Sequence, residues 1–113
     1  MDISTCTLDM EDFRNKLLKK PKVVAVNYAS NGLGTISDVQ KIIQMSHEVG
    51  AIAVVDAVHY AAHGTIDVKQ LDADFLLCSA YKFFGPHIGV MYAKKEVLSR
   101  LTPVSYTHLT LPT

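Results

Sequence analysis

Lys82 sits in an aromatic setting, Ala80-Tyr81-Lys82-Phe83-Phe84. Partial burial there would lower its pKa and leave a neutral amine able to form a Schiff base with an aldehyde. Asp56 closes the apolar run AIAVV. A carboxylate at that point would keep a pyridine nitrogen protonated, so that the ring accepts electrons from a substrate carbanion. Ser79 and the amides beside it would bind a phosphate. Taken singly, each residue has an ordinary explanation. A strand-end Asp usually caps a turn, a lone Lys is usually a solvated charge, and His59 alone reads as a structural histidine.

Positioning these groups requires an alternating chain. Residues 9–19 read as a helix capped by Asp9, with Met10, Phe13 and Leu17 on one face and Pro21 beyond its end. Residues 22–27 (KVVAVN) form a β-branched run typical of a strand buried on both faces. A turn-rich loop follows at 29–35. Ser37 and Gln40 then read as a capping box for a helix whose stripe is Val39, Ile42, Ile43 and Val49, with Gly50 in the left-handed position after it. Further strands are expected over 51–55, 75–78 and 88–92, Gly85-Pro86 turns the chain, and a helix starts at Glu96. Strands alternating with helices predict an α/β fold, a mostly parallel sheet flanked by helices. Such sheets bind ligands beyond the carboxyl ends of their strands. Asn31, Asp56 and Ser79 all follow such ends.

Composition narrows the function classes. The 113 residues, 49% hydrophobic and 19% charged, suit one globular domain. Eleven basic residues balance eleven acidic ones, so no overall field attracts nucleic acid or a membrane surface. No run approaches the ~20 apolar residues of a membrane helix. Cys6 and Cys78 lack metal-ligand spacing and make no disulfide framework, which places the protein in a reducing cytoplasm. Two other readings meet specific obstacles. A phospho-acceptor receiver domain also carries Asp, Ser and Lys at strand ends, but Asp56 and Lys82 are only 26 positions apart, too close for two intervening βα units. Gly32-Leu33-Gly34 hints at a dinucleotide loop, yet position 37 is Ser where a third glycine is required.

Three motifs stand in order: S-N-G-L-G-T (30–35), V-V-D-A-V-H-Y-A-A-H (54–63) and D-A-D-F-L-L-C-S-A-Y-K-F-F-G-P-H-I-G-V-M-Y (72–92). Together they resemble the cofactor core of the class V aminotransferase and cysteine desulfurase superfamily, enzymes of fold type I that depend on pyridoxal 5'-phosphate (PLP). The stretch S-A-Y-K-F-F-G-P-H is similar to the cysteine desulfurase-like branch. The resemblance implies that Lys82 carries the cofactor and moves protons at the substrate α-carbon, while Asp56 pairs with the pyridine nitrogen. It places His59 against the cofactor's phenolic oxygen, where many desulfurases have Gln, and Ser79 on the phosphate. Tyr81 falls where His is common in that phosphate network. Asn31 would lie near the phenolic oxygen and the substrate carboxylate. His63 and His87 are read as structural, and Gly85, Pro86 and Gly89 as shaping the turn behind the lysine.

The resemblance also implies an amino-acid substrate, a homodimer and, besides desulfuration, transamination, epimerisation or elimination as outcomes. It covers residues 8–103, a part of the large domain. An upstream phosphate loop, the small domain, a carboxylate-binding arginine and the nucleophilic cysteine of desulfurases have no counterpart; neither Cys6 nor Cys78 matches the last. Residues 104–113 (VSYTHLTLPT) look like one translated frame of a transposase-type sequencing adapter. Residues 1–103 are therefore expected to be a partial PLP-binding domain and 104–113 a non-native tail, with the chain inactive by itself.

Overall fold

Four apolar runs, each five residues long, become strands because their neighbours stop them: Asp, Asn and Ser at the carboxyl ends, and turns or caps before them. In the computed structural model, which describes residues 1–102, they line up as one sheet in the order β1 (Val23–Asn27), β2 (Ile52–Asp56), β3 (Phe75–Ser79) and β4 (Gly89–Ala93). The expected tail at 104–113 lies outside the described residues. β1, β2 and β3 run parallel, with Val26 beside Val55 and Val55 beside Leu76. β4 returns antiparallel, pairing Leu76 with Tyr92 and Ser79 with Gly89. The mostly parallel α/β sheet expected from the alternation is the observed one.

Helices α1 (Met10–Leu17), α2 (Val39–Glu48), α3 (Val68–Leu71) and α4 (Lys95–Leu98) complete the fold. Asp9 caps α1 as expected, its carboxylate accepting from the Glu11 and Asp12 amides at 3.0 Å. The cap of α2 departs from expectation. Asp38, not Ser37, accepts from the Lys41 amide at 3.2 Å. Ser37 is committed elsewhere, its amide donating to the Tyr28 carbonyl at 2.9 Å. Gly50 follows the helix at φ +78°, the conformation glycine adopts without steric cost.

The core forms where α2 and α3 meet one face of the sheet. Val39 and Ile43 pack with Ala53, Val55, Leu71 and Leu76, and Val26 and Tyr92 flank them. The opposite face stays open: Val23, Leu77 and Met91 are 54%, 37% and 55% exposed. The expectation that β1 is buried on both faces is therefore corrected. Its residues alternate between exposed and half-buried, because helices pack on one side only of this part of the sheet.

A polar cluster closes the end of the sheet where β2 and β3 begin. Asp74, 6% exposed, accepts from the Ala53 amide at 2.7 Å, meets His47 Nε2 at 2.9 Å and faces Lys94 Nζ at 3.3 Å. Lys94 also reaches Asp72, at 2.6 Å. Burial opposes the charged form of Asp74, but the bonds from Ala53 and His47 and the Lys94 charge outweigh it, holding the carboxyl below its ordinary range. Lys94 is pushed upward, because bonds and charge from Asp72 and Asp74 exceed its own burial penalty.

Candidate active site

The register brings Asp56 and Ser79 to one end and one face of the sheet. Asp56 is the last residue of β2 and pairs with Leu77; Ser79, two residues later, is the last of β3. Successive strand residues alternate faces, so Asp56, Leu77 and Ser79 share the open one. Asp56 is exposed, and its Oδ1 accepts from the Val58 amide at 3.0 Å, which turns the chain away from the strand. A short 3-10 turn, Tyr60–Ala62, follows, with half-buried His59 immediately before it.

Lys82 lies in a second 3-10 turn, Ala80–Phe83, inside the loop that joins β3 to antiparallel β4. The loop is pinned at its base by Ala80 donating to the Ile88 carbonyl at 3.0 Å and Gly85 to the Ala80 carbonyl at 2.8 Å. Gly85 is required sterically: a Cβ there would come 2.8 Å from Ala80 Cβ and 2.9 Å from its carbonyl oxygen. Phe84 enters the left-handed region at φ +67° to make the reversal. This turn lies alongside the Tyr60–Ala62 turn, which brings Lys82 and His59 to the same end of the sheet. Lys82 Nζ stands 5.5 Å from the centre of the Tyr81 ring, and Tyr81 stacks on His87 at 4.6 Å and 18°.

Asn31 is exposed in the loop after β1. That loop is closed by Ser30 and Thr35, whose backbones bond at 2.9 Å. Among the described residues no hydrogen bond or ion pair engages the side chains of Asn31, His59, Ser79, Tyr81 or Lys82. An amine, a carboxylate and a hydroxyl on adjoining strand ends match in chemistry the aldehyde, ring nitrogen and phosphate of PLP. The residues present fit that cofactor.

Among the features that escaped the sequence reading are a tyrosine stack and a cleft beside β1. Tyr28 and Tyr60 stack at 3.9 Å between the ends of β1 and β2; nothing in their spacing, 32 positions apart, signals contact. A cleft of about 590 Å³ lies beside β1 among Phe13, Val24, Asn27 and Ile42. It includes none of Asp56, Ser79 or Lys82.

Comparison with known proteins gives a consistent result. Residues 4–109 match the family described as aminotransferase class-V. An aminotransferase-like protein of Gibberella zeae is 42% identical over 106 residues, 93% of this chain and 26% of that protein. A probable cysteine desulfurase of Halalkalibacterium halodurans is 42% identical over 101 residues, 88% of this chain and 25% of that one. The apo cysteine desulfurase structure from Thermococcus onnurineus NA1 superposes with a TM-score of 0.77 at 42% identity, over 83% of this chain and 24% of that one. The chain thus spans about a quarter of the length of the curated relatives it matches.

Proposed function

This chain belongs to the aminotransferase class-V family, and we propose that it forms the cofactor-binding core of a PLP-dependent enzyme acting on an amino acid, with cysteine desulfuration as the outcome. Family membership replaces the phospho-acceptor and dinucleotide readings. The observation that carries the proposal is the placement of Lys82, in a pinned loop directly after Ser79 and beside the strand that ends in Asp56.

When bound, PLP supplies an aldehyde that an amine can hold covalently and a ring that accepts electrons. Lys82 would provide the amine and would take and return a proton at the substrate α-carbon. The Asp56 carboxylate keeps a proton on the ring nitrogen. Ser79, its neighbouring amides and the Tyr81 hydroxyl hold the phosphate. His59 donates to the phenolic oxygen, and Asn31 serves that oxygen and the substrate carboxylate. A second reading, transamination, has specific support: the aminotransferase-like relative matches at the same 42% identity as the desulfurase.

The reading extends to the whole protein. A homodimer completes the site, residues 104–113 are a non-native tail, and the 113-residue chain alone shows no turnover. The test starts by resequencing the source DNA across codons 101–113 with a library made without transposase adapters, then expressing the frame it returns. The protein is mixed with PLP, reduced with borohydride, digested and mapped by mass. The expected result is the cofactor on the peptide bearing Lys82 and none in Lys82→Ala. Attachment at another lysine, or no attachment, overturns the assignment.

A further inference from the structure

Tyr28 and Tyr60 have no part in the chemistry proposed above, yet their rings lie 3.9 Å apart at 3°, in close parallel contact. The two rings are anchored by different means. Tyr28 follows β1, and its amide donates to the Asp56 carbonyl while its own carbonyl accepts from Ser37, both at 2.9 Å. The first ring is thereby fixed to the strand end that carries Asp56. The hydroxyl end of Tyr60 abuts Gly64, where a Cβ would fall 2.6 Å from both Cζ and Oη. Gly64 and His63 in turn donate to the Tyr60 carbonyl, at 3.1 and 2.8 Å. Burial, the adjacent Tyr60 and Asp38 push the Tyr28 phenol upward.

His59 lies between two fixed neighbours. On one side, the Val58 amide is tied to Asp56 Oδ1 at 3.0 Å. On the other, Tyr60 is seated on Tyr28 and closed by Gly64. The His59 ring stands 5.0 Å from His63, tilted by 57°. We infer that Tyr28, Tyr60 and Gly64 form a clamp that positions the His59 imidazole relative to Asp56, so that Tyr28 and Tyr60 are positioning residues of the site. The inference rests on the PLP reading for its functional consequence, and on geometry alone for the clamp. Placement matters because a 1 Å error in a contacting group costs about 10²-fold in rate.

Two measurements separate the two levels. In the cofactor-free protein, the His59 imidazole resonances are followed by NMR. Tyr60→Phe keeps the ring and should leave them unchanged; Tyr60→Ala and Gly64→Ala should both move them, while the resonances of His47, at the far end of the sheet, stay in place. In the PLP-loaded protein, the pH midpoint of the visible absorption band is recorded. Tyr60→Ala should shift it in the same direction as His59→Ala, by roughly one to two pH units, the size of one hydrogen bond to a charged group. In a His59→Ala background, Tyr60→Ala should add nothing. An unmoved His59 resonance, or a full extra shift in that background, overturns the clamp. A band absent from the parent protein overturns the PLP reading instead, and the resonances still decide the clamp.

Discussion

Replacing Asp74 with Ala removes the acceptor that joins β2, α2 and the residue after β4 at the far end of the sheet from Lys82. Three partners lose it: the Ala53 amide at 2.7 Å, His47 at 2.9 Å and Lys94 at 3.3 Å. A hydrogen bond to a charged group contributes about 1.5–3 kcal/mol, and a buried donor left unpaired costs about 1–3 kcal/mol. Lys94 keeps Asp72, so its loss is partial. The three terms overlap rather than add, giving an expected cost of about 3 kcal/mol. Asp72→Ala is the control: its side chain is 62% exposed, and an exposed ion pair contributes about 0–1 kcal/mol. The assay is urea unfolding, together with hydrogen exchange of the Ala53 amide. The pH dependence has a fixed sign. The carboxyl of Asp74 is lowered on folding, so its contribution is present above its ordinary value of 3.8 and fades as pH falls through the folded value. Lys94 is raised, so its contribution is present below 10.5 and fades as pH rises through the folded value. Asp74→Ala should flatten the acid limb. Equal costs for Asp74→Ala and Asp72→Ala, or an unchanged Ala53 exchange rate, would refute the reasoning.

Three further outcomes follow from the same contacts. Gly85→Ala places a methyl 2.8 Å from Ala80 Cβ and should weaken PLP attachment at Lys82 more than it lowers the unfolding midpoint; borohydride labelling beside a thermal melt checks this. Ile43→Ala, at a fully buried core position, should cost about 2–5 kcal/mol in urea unfolding with no change in its slope. Asp38→Ala should cost about 1 kcal/mol through loss of the α2 cap, whereas Ser37→Ala, whose bonds are made by its backbone, should cost far less under the same assay.

The strands, helices α1, α2 and α4 and the strand-end positions of Asp56 and Ser79 were legible in the sequence, because each depends on neighbours within a few residues; the single turn of α3 was not expected. Apolar runs stopped by polar residues make strands, Asp9 and Gly50 punctuate helices, and the motif around Lys82 announces itself as a string. The α2 cap was misplaced by one residue because Ser37 spends its amide on Tyr28, a contact across nine positions that no local rule weighs. The antiparallel return of β4 was equally hidden, since an apolar run carries no mark of its direction. The Asp74 cluster and the Tyr28–Tyr60 stack depend on pairs 20 or more positions apart, 47 with 74, 74 with 94, 28 with 60. Sequence alone determined which groups stand at the strand ends. Only the tertiary structure decided their common face and what holds them there, because register and packing are set by contacts between elements rather than within them.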